Sequence, residues 1–138
     1  MGRFLLYLPL ALLLTLSGTL GSPCDESDSF SGFFARFASE EQFRKERIVF
    51  PLRALVGSPS EGQSKERWSE HQLVAKFNPP VPSNQLQSEG LAEETRRLGS
   101  KEVEVEQSIP HADSYNVTYR FKLKRGCWFL VHYEYSSY

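Results

Sequence analysis

The chain carries two hydrophobic patterns with different periods. Between Asp28 and Leu52, in DSFSGFFARFASEEQFRKERIVFPL, Phe30, Phe33, Phe34 and Phe37 fall at i, i+3, i+4 and i+7. A helix sets residues so spaced on one face. Burying each ring contributes about 1.5–3 kcal/mol, so the spacing predicts a helix that lids the main core. Asp28 or Ser29 is placed to cap its first turn. Ser39 followed by Gln42 has the capping-box spacing, which predicts a break and a second, short helix carrying Phe43 inward and ending near Arg47. Ile48, Val49 and Phe50 then open a strand, where Pro51, lacking an N–H, suits an edge or a bulge.

From Lys101 onward the period is two. Val103 and Val105 alternate with Glu102, Glu104 and Glu106, which predicts a strand with one buried and one wet face. Tyr115, Val117, Tyr119, Phe121 and Leu123 alternate in the same way with Asn116, Thr118, Arg120, Lys122 and Lys124, and Arg125-Gly126 marks a turn. In the return strand, Phe129, Val131, Tyr133 and Tyr135 fall on one side and Trp128, Leu130 and His132 on the other. Apolar on both faces, this strand is expected inside the sheet.

The middle is less regular. Residues 57–62, rich in Gly, Ser and Pro, form a loop; Arg67 to Phe77 reads as a second strand, stopped by Asn78-Pro79-Pro80-Val81-Pro82. Leu91 to Leu98 reads either as a short helix, with Glu93 and Arg97 at i, i+4 and Gly99 as its cap, or as an ordered loop. Helices first and antiparallel strands after is the α+β order, with N-terminal helices packed on one sheet.

Ahead of this lies Arg3, an apolar run of 13 residues from Phe4 to Leu16, and small residues at Ser17, Gly18, Thr19, Gly21 and Ser22. The pattern is that of a signal peptide over residues 1–21, and the run is short of the roughly 20 residues a membrane span needs. Residues 22–27 are then a polar lead and 28–138 a single domain. The export so implied is periplasmic or secreted. With Arg3 removed the balance is 15 basic to 17 acidic residues, interspersed, which makes neither nucleic acid nor an anionic membrane a natural partner.

Cys24 and Cys127 survive processing. In an oxidising compartment an even pair invites a disulfide, worth about 4.7 kcal/mol for a loop of this length in the chain-entropy model. A second reading makes Cys24 the lipidated first residue of a lipoprotein, anchoring the chain, although Leu20-Gly21-Ser22-Pro23 places Leu one position early and Pro beside the Cys. A third leaves two thiols that never meet.

The run FSGFFARFASEEQFRKERIVFPL and the later FKLKRGCWFLVHYE resemble the bacterial domain-of-unknown-function family 4348, itself similar to the nuclear transport factor 2-like (SnoaL-like) superfamily. The resemblance rests on Phe30, Phe33, Phe34, Phe37, Phe43, Arg47, Phe50, Pro51 and Trp128, and Pro79 to Pro82 depart from it. It implies a curved antiparallel sheet wrapped on helices into a cystatin-like cone with an apolar pocket. It implies no activity, and leaves pairing of two copies through the sheet open.

Chemistry-bearing residues are sparse. His71, His111 and His132 lack metal-ligand spacing, as do the cysteines, and neither a G-x-S-x-G elbow nor a phosphate-cradling glycine loop is present. The pattern calls for no metal and no cofactor. His132 with Glu134 has the residue types of an acid–base pair, and equally of a histidine satisfied on a sheet face. Tyr119, Trp128 and Tyr133, with Tyr115 and Tyr135, are candidates to line a pocket or to serve as cross-strand packing pairs. Arg47 is suited to clamp a carboxylate ligand or to pair with Glu40, Glu41 or Glu46. Asn116-Val117-Thr118 matches the glycosylation sequon on a polar face.

The expectation is a non-catalytic exported domain that binds a small apolar or amphipathic ligand, or a protein partner, through the concave face of its sheet. The rival is a pocket enzyme of isomerase or dehydratase type using His132 and Glu134. A cystatin-like protease inhibitor ranks last, because the Q-x-V-x-G hairpin is missing.

Overall fold

The computed structural model describes Cys24 and residues 29–58, 60–112 and 114–137. The signal peptide read over residues 1–21, and the lead over 22–27 apart from Cys24, lie outside the described residues. In chain order the elements are α1 (Phe30–Ser39), α2 (Glu41–Glu46), β1 (Ile48–Ser58), β2 (Gly62–Trp68), α3 (Glu70–Lys76), β3 (Ala92–Gly99), β4 (Glu102–Ser108), β5 (Asn116–Lys124) and β6 (Cys127–Ser136). The strands form one unclosed sheet in the order β2-β1-β6-β5-β4-β3. All pairs are antiparallel except β1 with β6, which are parallel. The architecture is the expected α+β, helices on a curved sheet.

The helix α1 forms as its spacing predicts. Ser29 caps it, accepting from the Gly32 N–H at 3.3 Å. Its Phe stripe converges on one ring of the sheet. Phe30, Phe33, Phe34 and Phe37 all meet Phe121 edge-on, with centroids 5.5, 5.4, 5.8 and 5.1 Å away. That is the favoured aromatic geometry, positive ring edges against a negative face. The helix does break after Ser39, but without the capping box: the Ser39 hydroxyl donates back to the Ala35 carbonyl, and Glu40 takes the cap position of α2. Arg44 instead fastens the corner, donating to the carbonyls of Phe37 and Ala38 at 2.8 and 3.0 Å.

Pro51 does not lie on an edge strand, for β1 is flanked by β2 and β6. The irregularity expected of it is present: β1–β2 pairing begins at Leu52, and the β1–β6 register shifts between Ile48 and Arg53. At the far end of β1, Gly57 has φ 140°, and a Cβ there would collide with the Gly62 carbonyl. The β5–β6 turn at Arg125-Gly126 has φ 53° and 78°, the paired left-handed residues of a tight hairpin.

Three expectations are corrected. The strand read over Arg67–Phe77 is the end of β2 followed by α3, which opens on a true capping box: the Gln72 N–H donates to the Ser69 hydroxyl and the Ser69 N–H to the Gln72 side chain. The helix or loop read over Leu91–Leu98 is the edge strand β3, whose Glu93 and Arg97 lie opposite Gln107 and Val103. Third, the strict alternation read along β6 breaks. Arg120 pairs with His132 and Phe121 with Leu130, so Val131 is an extra, bulged residue. Trp128 and Leu130 before it and Tyr133 after it all face the core, while His132 and Glu134 turn to the other side.

Candidate functional site

The core face of the sheet is filled and closed. Phe77 packs on the rings of Tyr119 and Tyr133, at 6.1 and 5.1 Å, and Pro80 is fully buried. Three polar side chains on adjacent strands fasten this segment over the sheet. The Tyr119 hydroxyl donates to the Asn78 carbonyl at 2.6 Å. The Tyr133 hydroxyl accepts from both the Asn78 N–H and its side-chain amide at 3.2 Å. Gln107, fully buried, accepts from the Val81 N–H and donates to the Val81 carbonyl, each at 2.9 Å, and donates to Glu93 at 2.7 Å. Burial pushes the Tyr119 hydroxyl well above its ordinary range, and burial pushes that of Tyr133 up to about 12 against the lowering pull of Asn78. Both phenols are neutral hydrogen-bonding anchors.

Of the residues singled out from sequence, then, Tyr119 and Tyr133 lie together inside and are occupied by Asn78. Trp128 is buried edge-on against Phe30, 5.1 Å away. Arg47, the C-cap of α2 and buried, is at another end: its guanidinium bonds the Cys24 sulfur and lies over the rings of Phe43 and Phe129. Cys24 and Cys127 form a disulfide, Cα atoms 5.3 Å apart. That bond occupies the thiol which lipidation of Cys24 would require.

His132 is separated from the tyrosines by the thickness of the sheet. It lies on the outer face, its Nε2 2.8 Å from a Glu134 carboxylate oxygen. Two open troughs run along this face, of about 300 and 740 Å³, and both are lined by Arg53, Arg120 and His132. Val49, Pro51, Val131, Glu102, Lys122 and Lys124 complete the smaller; Lys65, Glu66 and Arg67 are among the walls of the larger.

The cations are treated unequally. Arg120 donates to Glu104 at 2.9 Å, and Arg96 reaches the other oxygen of that carboxylate at 2.8 Å. Burial works to raise the Glu104 carboxyl, but the bonds from Arg120 and Arg96 outweigh it and hold the group below its ordinary value. Arg53 and Arg67 have no ion-pair partner among the described residues.

Sequence reasoning did not single out Arg53, Arg120, Gln107 or Asn78. The signal for the first two was present in the wet face of β5, which reads Arg-x-Lys-x-Lys from Arg120 to Lys124. Only the register adds Arg53 to it. Among the described residues no helix is long and apolar enough to cross a membrane, and no three His, Cys, Asp or Glu side chains converge as a ligand set.

No family model matches the sequence, and no curated protein matches it. Among solved structures, an NTF2-like protein from Bacteroides fragilis NCTC 9343 superposes with a TM-score of 0.60 at 20% identity, over 83% of this chain and 49% of that one. The chain thus spans about half the length of that protein. An NTF2-like protein of unknown function from Methylobacillus flagellatus KT matches with a TM-score of 0.45 at 8% identity, over 83% of this chain and 98% of that one. A protein of unknown function with a cystatin-like fold from Nostoc punctiforme PCC 73102 matches at 0.37 and 13% identity, over 77% and 83%. The first likeness shows the fold to be NTF2-like.

Proposed function

We propose that this chain is an exported, non-catalytic binding domain whose working surface is the outer face of its sheet. The observation that carries the reading is the contrast between the two faces. The core face is packed by four phenylalanines around Phe121 and closed by residues 77–81, and the space on the helix side is a trough of about 330 Å³ outside that packing, between α2 and α3, lined by Ile48, Leu73, Val74 and Phe77. The outer face has two troughs that share three side chains. Export agrees with the leader pattern of residues 1–21 and with a disulfide, which persists in oxidising compartments. Kinship with the domain-of-unknown-function family 4348, through the Phe30–Pro51 stretch and Trp128, belongs to the same proposal.

A thermal-shift screen of the disulfide-bonded chain against lipids, steroids and aromatic acids tests it. A ligand present at a hundredfold over its Kd adds about 2.7 kcal/mol of stability, a readily measured rise in Tm. Backbone amide shifts should then map to β1, β5 and β6. Absence of any stabilising ligand, or shifts confined to the core, refutes the reading.

One observation favours a second reading. The 2.8 Å contact between His132 and Glu134 beside the troughs is within proton-transfer distance, as an isomerase or dehydratase would need. Under that reading His132→Ala abolishes turnover of a trough-bound substrate while the protein stays folded.

A further inference from the structure

The register lines up one row of side chains across all six strands of the outer face: Arg67, Arg53, His132, Arg120, Glu104 and Arg96. On the β4 side the row is balanced, since Glu104 sits between Arg120 and Arg96. On the β1 side it is not. Arg53 stands directly opposite Arg67 on β2 and opposite His132 on β6, and neither arginine has an ion-pair partner among the described residues. Like charges opposite one another on neighbouring strands are destabilising. Lys65, Lys122 and Lys124 line the same troughs, also with no carboxylate bound to them among the described residues. Six fixed cations thus line the two troughs against Glu66 and Glu102, in a chain whose net charge is −1. Glu66 is itself engaged elsewhere, by Lys76 and Trp68.

Beside Arg53 the floor changes character. Val49, Pro51 and Val131 line the 300 Å³ trough, and Val131 is the bulged residue of β6. A guanidinium fork matches a carboxylate with two parallel hydrogen bonds, and an apolar shelf next to it suits a hydrocarbon body. The volume is at the lower limit for small-molecule pockets, enough for one ring or a short chain.

We propose that this trough binds a small amphipathic carboxylic acid, its carboxylate on Arg53 beside Arg120 and its apolar body on Val49, Pro51 and Val131. The inference rests on the outer-face reading above and names the ligand class for it. Recognition uses the charge that the fold leaves unanswered, so binding relieves a repulsion as well as forming hydrogen bonds.

The test is a nitrogen–proton NMR titration of the disulfide-bonded chain, following backbone amides and arginine side chains, with phenylacetate and octanoate as probes. Their neutral amides, phenylacetamide and octanamide, inorganic phosphate and a hexaglutamate peptide are titrated in parallel. Saturable shifts on Arg53, Arg120, Val131 and His132 are expected with the two acids. Removing the charge from either side, by the amides or by Arg53→Gln, should weaken binding about tenfold, the worth of one charge-assisted hydrogen bond. Arg53→Gln breaks no ion pair, so its unfolding midpoint should not fall. If the amides bind the outer face as well as the acids, the carboxylate assignment fails while the outer-face reading survives. Phosphate binding as tightly as the acids removes the role of the apolar shelf and overturns the proposal. So does hexaglutamate binding where the acids do not, in favour of a protein partner. If nothing perturbs the outer face, both readings fall.

Discussion

Replacing Gln107 by Leu tests whether the segment after α3 is fastened to the sheet in the way the hydrogen bonds indicate. The side chain is fully buried and makes three bonds, two to Val81 and one to Glu93. The bonds to Val81 are neutral pairs worth about 1 kcal/mol each, and the one to a carboxylate is worth about 1.5–3. Against this, Leu adds apolar surface in a buried site and returns about 1–2 kcal/mol. The expected net loss is about 1.5–4 kcal/mol. At about 4 °C per kcal/mol for a domain of this size, Tm should fall by about 6–16 °C. Urea unfolding at unchanged m-value gives the same quantity from the midpoint shift. Gln107→Glu supplies an ordering that a general packing defect would not. It keeps the acceptor for the Val81 N–H, loses the donor to the Val81 carbonyl and faces Glu93 with like charge, so it should be less stable than the Leu variant. Hydrogen exchange at the Val81 amide should speed up most in Gln107→Leu, which lacks its acceptor. A Leu variant within about 0.5 kcal/mol of the parent, or a Glu variant more stable than it, refutes the clamp.

Phe121→Ala removes the ring on which the four α1 phenylalanines converge and should cost about 3–5 kcal/mol by chemical denaturation, since the site is fully buried. Reducing the disulfide, or Cys127→Ser, should cost about 2–5 kcal/mol, read by urea unfolding with and without reductant. Glu104 makes stability pH-dependent on the acid side: its carboxyl is held below the ordinary value of 4.5, so its contribution is full above 4.5 and is lost as pH falls through the lowered folded value. Glu104→Gln should therefore flatten the acid limb of a stability–pH curve below 4.5; an unchanged limb refutes the assignment.

What could be read beforehand follows from how many faces of each element are dry. The helix α1 and the strands β4 and β5 each have one apolar and one polar face, so their periods stand out in the sequence, and Phe121 falls on the core side as expected. In the edge strand β3 most side chains are in water, so no period is present, and an i, i+4 charge pair imitates a helix. Between Trp68 and Phe77 the strand reading leaned partly on Val74, which is 79% exposed on α3. The stronger signal was the Ser69–Gln72 capping box, while the same spacing at Ser39–Gln42 is unused because Ser39 still belongs to α1. In β6 one bulged residue reverses the phase, which is why His132 reads as a neighbour of Trp128 and Leu130 yet sits on the opposite face. The outer-face cluster was hidden for a related reason: Arg53, Arg120 and His132 are far apart in the chain, and only pairing of β1 with β6 and β6 with β5 unites them.

The bond between Cys24 and Cys127 also turns most of the domain into a covalent ring, with a sequence separation of 103. Both α1 and α2, α3 and five of the six strands are within it, and β6 leaves from its point of closure. A protease that cuts the exposed turn at residues 87–90 would sever the backbone and release nothing. The nicked molecule, heavier by one water, stays a single covalent unit until a reductant is added, and only then becomes two chains. Cleavage in such a loop would change connectivity without changing the number of particles.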